Sequence, residues 1–394
     1  MRALVNGGSH SDVAAIRHLK DLGYEVVTTG NRPGELGHRY ADRYVEADFS
    51  SVDAIEAVVD AVRPDVLIPS CNDFSYLTAC TIAARHGFPG YDPPEVAALV
   101  HHKDRFRTLC ASLGLPSPRH VVVDVAGPPP DPSDFRFPVL VKSTDLTGGK
   151  GIVLCQKPED LAWAMAEAVQ LSRRPRLVIE EVFDGELCSC STFLRNRRVV
   201  FHYADREYLY PDSYLVQTSL GPRDPGPVVT AALIRAIERV AETLGLVDGL
   251  VHAQFLQRDD AFVIVELTRR CPGDLYGIPV DMLFGETFYT AAALAPYLDR
   301  PLPPLAHDFA RLPPGRSIAR ACVMVPPGVN AITAVVPGPA IRDHVRDFVP
   351  YVGFPRTVAN RRIEKFGVFF LEFESFTHGD AIVRDFSRTL TFGP

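Results

Sequence analysis

Short apolar runs alternate with longer amphipathic stretches at the start of the chain. ALVN (3–6), YEVVTTG (24–30) and DVLIPS (65–70) read as strands. AAIRHLKDLG (14–23), DAIEAVVDAV (53–62) and LTACTIAARHG (77–87) read as helices, two of them stopping at a glycine suited to a C-terminal cap. This alternation predicts a parallel sheet with helices on both faces. DRFRTLCASLG, which opens at 104, reads as a further helix and runs into the turn LPSP. Between 119 and 181 the pattern predicts short strands, a proline-rich loop, a glycine-rich loop and the helix EDLAWAMAEAVQL (159–171). LVIEEVF (177–183) has the unbroken apolar start of a buried strand. Residues 187–203 read as a hairpin turning at Arg195-Asn196-Arg197, followed by a helix at 229–245 and strands at 251–257 and 261–267. Residues 278–298 read as helical, and 317–394 as a smaller α+β unit. The fold class expected is therefore α/β plus α+β. A doubly wound, Rossmann-like domain spans 1–103, a central region 104–305 and a C-terminal subdomain 306–394.

The chain has 394 residues, 46% apolar and 23% charged, the balance of an ordinary globular protein of two or three domains. Its net charge of −7 excludes a general nucleic-acid binder, which needs a basic footprint. No stretch reaches the roughly 18 apolar residues of a membrane helix. The apolar run of MRALVNGG is too short for a secretion signal. Eight scattered cysteines form no CxxC and no zinc spacing, which suits buried thiols in a reducing, cytoplasmic setting.

Four strings carry candidate chemistry. Gly7-Gly8-Ser9-His10 follows the first strand, but it lacks the GxGxxG spacing and no acid ends the second strand. It reads as a tight strand-to-helix turn. VLVKSTDLTGGKGIVLC (139–155) sets Lys142 on a strand before a glycine-rich loop. It is no Walker loop, because Thr144 stands where that motif needs glycine and Gly151 follows Lys150. Its backbone N–H groups and lysines suit phosphates; an ordinary hairpin with a solvated lysine fits the same string. VIEEVFDGE (178–186) ends an apolar strand on two carboxylates that are costly to bury without donors. A donor-rich ligand such as adenine and ribose would satisfy them, and so would a charged strand end at a hinge. In GLVHAQFLQRDDAFVIVELTRR (249–270), Gln254 and Glu266 stand on adjacent strands, with Thr268 and Arg270 on the face of Glu266. Hard oxygens beside an arginine suit Mg²⁺ on nucleotide phosphates; a surface hairpin is the plainer alternative.

Taken in this order, the segments resemble the ATP-grasp superfamily from about residue 1 to about 300. The resemblance implies an ATP-grasp domain at 104–305, with a small lobe at about 119–181 and a large lobe at about 182–305. It assigns Lys103 and Lys142 to the nucleotide phosphates and the loop 144–151, with Gly148, Gly149 and Lys150, to their cover. Glu180, with Glu181, Val182 and Phe183, matches the hinge that reads adenine. Gln254 and Glu266 match the metal ligands. Arg270, with Lys142, matches the groups that stabilise the transferring phosphoryl group. Three positions depart from the family pattern. Gln254 stands where many members carry Glu, although some carry Gln. Thr268 stands where the usual third ligand is Asn. Glu186 is offered for the ribose, one position before Leu187, where the family places its glutamate.

The resemblance implies an ADP-forming ligase. A carboxylate takes the γ-phosphate of ATP, and an amine attacks the resulting acyl phosphate to give an amide. The cofactors implied are ATP and Mg²⁺, with Mn²⁺ as a substitute ion. The partners implied are small carboxylates and amines, with amino acids preferred, and a homodimer is left open. Arg206, Arg269 and Asp274 are the candidates for holding the substrate, through its carboxylate and ammonium groups. Bicarbonate-dependent carboxylation and nucleotide binding without turnover are the rival readings.

Overall fold

The computed structural model describes all residues except 129, 171, 286, 305–314, 361–363 and 394. The expected boundary at 305/306 lies outside the described residues.

The N-terminal strands β1 (Arg2–Asn6), β2 (Glu25–Gly30), β3 (Arg43–Glu46) and β4 (Val66–Pro69) form a parallel sheet in the order β3-β2-β1-β4. Period-two alternation sends β1 residues to both faces. Ala3 and Val5 pack with Ile16 and Leu19 of helix α1 (Val13–Asp21). Leu4 packs with Ile55 and Val59 of α2 (Val52–Val62). This is the doubly wound sheet that the alternation implied. Ser51 caps α2 by accepting from Ala54 N, and Asn72 caps α3 (Asp73–His86) by accepting from Phe74 N and Ser75 N. The Gly7–His10 segment is a turn held from within: Asp12 accepts from Ser9 N at 2.8 Å, Ser70 Oγ at 2.8 Å and Cys71 N at 3.0 Å.

After α4 (Pro94–His101) and α5 (Lys103–Leu113) comes a four-stranded antiparallel sheet. Its strands are β5 (His120–Asp124), β6 (Val139–Ser143), β7 (Ile152–Cys155) and β8 (Arg176–Glu181), ordered β5-β8-β6-β7. Helix α6 (Leu161–Val169) covers one face through Val139, Val141, Val153 and Ile179.

The largest sheet has eight strands. β9 (Glu186–Arg195), β10 (Arg198–Leu209), β11 (Val216–Gly221), β12 (Gly249–Arg258), β13 (Ala261–Thr268) and β14 (Ser317–Val323) run in the order β13-β12-β9-β10-β11-β14. The strands Gly367–Phe373 and Val345–Pro350 then continue it. The hairpin turn falls where the sequence put it, with Asn196 and Arg197 at φ 52° and 63°. α7 (Pro227–Leu244) buries Leu233, Ile237 and Val240 on one face of this sheet. The residues read as helical at 278–298 form α8 (Gly277–Phe284) and α9 (Phe288–Leu294), with a short 3-10 turn after them; Gly285, at φ 119°, ends α8. The C-terminal residues share the eight-stranded sheet with the central region, and Leu371 and Phe373 share one core with Tyr208 and Leu220. All eight cysteines are free; six are buried, while Cys71 and Cys271 are partly exposed. Among the described residues no helix is long and apolar enough to cross a membrane.

Candidate active site

A cavity of about 1150 Å³ opens between the four-stranded and eight-stranded sheets. Alternation builds its first wall. Leu140, Lys142, Ile152 and Leu154 point into it, while Val139, Val141 and Val153 between them face α6.

Lys142 is 4% exposed and donates to Glu180 Oε2 at 2.5 Å. Arg107 Nε donates to the other Glu180 oxygen at 2.6 Å, and its Nη2 donates to Val265 O at 2.8 Å. One buried acid thus ties β6, β8, α5 and β13 together. Burial pushes the Glu180 carboxyl up, but Arg107 and Lys142 outweigh it and hold the group at about 2. Burial lowers the Lys142 ammonium, with Glu180 opposing. The expected donor-rich partner of Glu180 is therefore the protein itself, so its side chain is not a free adenine acceptor. Lys142 keeps two further N–H donors for a ligand.

Lys103 opens α5 and steers the glycine-rich loop. Its backbone N donates to Thr144 O at 3.1 Å and its ammonium to Leu146 O. Gly148 and Gly149 line the cavity at φ 62° and 75°. A Cβ on Gly149 would stand 2.3 Å from Tyr214 O, so only glycine lets the loop lie against that segment. Lys150 is exposed and does not line the cavity.

Glu181, Val182 and Phe183 line the cavity where β8 leaves the small sheet. The Glu181 carboxylate is taken by Arg119 and Arg136 N, each at 3.1 Å. Glu186 also lines the cavity, paired to Arg206 and Arg223 at 2.8 Å each.

On the far wall Gln254 and Glu266 face one another across β12 and β13, as their spacing implied, and both line the cavity. Gln254 Nε2 donates to Glu207 at 2.5 Å, which leaves the amide oxygen as an acceptor. Among the described residues no group of three or more His, Cys, Asp or Glu is arranged to hold a metal. Two hard oxygen ligands instead suit an ion that keeps most of its shell from phosphates and water, the habit of Mg²⁺. Thr268 does not join them. Its hydroxyl is buried, faces Arg270 O at 3.4 Å and lies outside the cavity.

The expected substrate residues are mostly engaged elsewhere. Arg269 is 3% exposed and spends its guanidinium on Asp92 at 2.7 Å and on Leu250 O and Val247 O at 2.6 Å. It locks the strand end to the N-terminal domain and does not reach the cavity. Asp274 does accept an ammonium, but that of Lys365, with His10 at 3.2 Å and Arg320 at 3.3 Å. Arg206 lines the cavity between Glu186 and Asp380, at 3.0 Å from the latter. Arg270 donates to Asp73 at 2.5 Å at the start of α3 and, though close to Glu266, does not line the cavity. Arg107 and Glu207 were not anticipated. Each carried a signal: Arg107 stands four residues after Lys103 on one helix face, and Glu207 alternates with Phe201, Tyr203 and Asp205 along its strand.

Known proteins resemble this arrangement. The carbamoyl phosphate synthase large chain of Micrococcus luteus is 27% identical over 383 residues, covering 90% of this chain and 31% of its own length. The formate-dependent phosphoribosylglycinamide formyltransferase of Pseudomonas savastanoi pv. phaseolicola is 26% identical over 255 residues, 62% of this chain and 63% of that one. The chain thus spans less than two thirds of either relative. The crystal structure of an L-amino acid ligase from Bacillus licheniformis superposes with a TM-score of 0.77 at 16% identity, covering 100% of this chain and 99% of that one. No family model matches. The chain shares the fold of that ligase, as its motifs implied, and resembles the two relatives in sequence.

Proposed function

We propose that the chain is an ATP-dependent ligase that joins a carboxylate to an amine through an acyl phosphate. The observation that carries this reading is convergence. Lys103, Lys142, the Gly148-Gly149 loop, the 181–183 hinge, Gln254 and Glu266 come from sequence positions far apart and line one cavity. The fold shared with the L-amino acid ligase supports it.

In this reading the 181–183 segment holds the adenine and the two lysines the phosphates. Glu186, held by Arg206 and Arg223, reaches the ribose. Gln254 and Glu266 would hold Mg²⁺, which neutralises phosphate oxygens when bound. The loop 144–151 covers the cavity and keeps water from the acyl phosphate. Arg270 stands behind Glu266, fixed by Asp73, and adds positive potential at the phosphoryl end. No side chain serves as a covalent nucleophile.

The test is ADP release from ATP and Mg²⁺ with a panel of acids and amines. Release that needs both an acid and an amine supports the ligase. Release driven by bicarbonate alone supports the carboxylating reading. ATP binding without release across the panel overturns turnover altogether.

A further inference from the structure

Asp205 and Glu207 alternate on one face of β10 and are 2% and 7% exposed. Buried carboxylates are ordinarily paired with a cation. Glu207 lines the cavity and Asp205 does not; the lining acids Glu180, Glu181 and Glu186 are all so paired. Among the described residues Asp205 and Glu207 are not. Asp205 accepts only from the neutral hydroxyls of Ser189 and Tyr276, and Glu207 from the neutral amide of Gln254.

Arg320 acts on both acids and Lys365 on Glu207 from a distance, but both cations are paired with Asp274. Ser219 stands opposite Glu207, and Arg320 stands opposite Ser219 one strand further on. Arg320 gives its Nε to Ser219 at 3.2 Å and its Nη1 to Asp274 at 3.3 Å. A second feature marks the same spot. Tyr203, two residues before Asp205, has a buried hydroxyl with no hydrogen-bond partner. A Cβ on Gly221 would meet that hydroxyl at 2.2 Å and Asp205 Cβ at 3.0 Å, so Tyr203 and Asp205 crowd the same glycine.

We propose that Asp205 and Glu207 bind the positively charged amino group of the amine substrate, with Glu207 in contact and Asp205 behind it. The inference rests on the ligase reading and names the substrate class: a primary amine that is cationic in solution. Glu207 lines the cavity and touches Gln254, so an amine held there lies beside the phosphoryl end of the site. Bicarbonate and other anions meet two buried carboxyl groups at this position.

The experiment is thermal shift on the full chain with ADP and Mg²⁺. Ethylamine, 1,4-diaminobutane and L-alaninamide are titrated against N-acetyl-L-alaninamide and bicarbonate. At least one cationic amine stabilises the wild type saturably, and the acetylated amide does not. Glu207→Gln weakens that amine by about tenfold or more, the size of a lost charge-assisted hydrogen bond. Asp205→Asn weakens it less, and Glu207→Asp retains part of it. Affinity for ADP with Mg²⁺ stays at the wild-type value in all three. The proposal is overturned if no amine stabilises the wild type, or if Glu207→Gln binds amines normally. It is also overturned if Glu207→Gln weakens Mg²⁺ and leaves amines untouched, which makes Glu207 a metal ligand. Amine binding with no ADP release in any acid–amine pair sinks the ligase reading alone. Turnover with an unchanged amine KM in Glu207→Gln sinks this inference alone.

Discussion

The two walls of the cavity treat buried charge in opposite ways. On the small-sheet side Glu180 is enclosed by Arg107 and Lys142, and its carboxyl sits at about 2 despite burial. On the large-sheet side Glu207 lines the cavity and Asp205 does not; burial, and then Glu207, push the Asp205 carboxyl up to about 8. Both acids are almost fully buried. The difference lies in the partners and not in the depth. A compensated trio is scaffold, because its charges are already satisfied. An uncompensated pair costs stability until a cationic ligand arrives, and that cost becomes selectivity.

Removing one member of the trio breaks the contrast most severely. Arg107→Ala strands the Glu180 carboxylate with half its compensation and frees two β13 carbonyls; a loss of about 3–5 kcal/mol is expected in urea denaturation. An unchanged midpoint would mean that the trio is not scaffold. Glu266→Gln tests the other wall through function. Turnover drops by roughly a hundredfold or more while ATP binding persists, the pattern of a lost transition-state interaction. Full turnover at the wild-type Mg²⁺ dependence would remove Glu266 from the metal site.

pH separates the walls by sign. The Glu180 pKa is lowered by folding, so its contribution is present above the usual carboxylate range and is lost as pH falls toward about 2. The Asp205 pKa is raised by folding, so its penalty grows as pH climbs from about 4 to about 8. Asp205→Asn should therefore gain stability over the wild type across that window and level off above it. A gain that shrinks with rising pH reverses the reading. The smallest effect belongs to Arg119→Ala. Its pair with Glu181 is half in solvent, and a change under about 1 kcal/mol is expected in the same denaturation assay.

Much of the fold was legible because it follows from local period. Strands β1, β2 and β4 alternate with α1, α2 and α3 as the apolar pattern requires. Residues 43–46 escaped notice because RYVE is short and half-exposed, with no apolar run to mark it. The division of 278–298 turned on one glycine in a conformation that a periodic pattern does not register. The joining of residues 317–373 to the central sheet was illegible, because strand pairing across long separations leaves no local trace. Lys142, Gln254 and Glu266 could be found from the strings around them. Arg107 and Glu207 take their meaning from partners 73 and 47 residues away. Arg269 and Arg270 show the same limit. Adjacent in sequence, they point to different acids, Asp92 and Asp73, both in the N-terminal part of the chain.

Sequence alone determined which side chains share a face, since the two-residue repeat of a strand is a property of neighbouring residues. It also marked Lys103, Lys142, Gln254 and Glu266, which line one cavity. Tertiary structure decided which charges are already spent. Neutralisation depends on what packs within a few ångströms: cations from two separate elements bond to Glu180, and none bonds to Asp205.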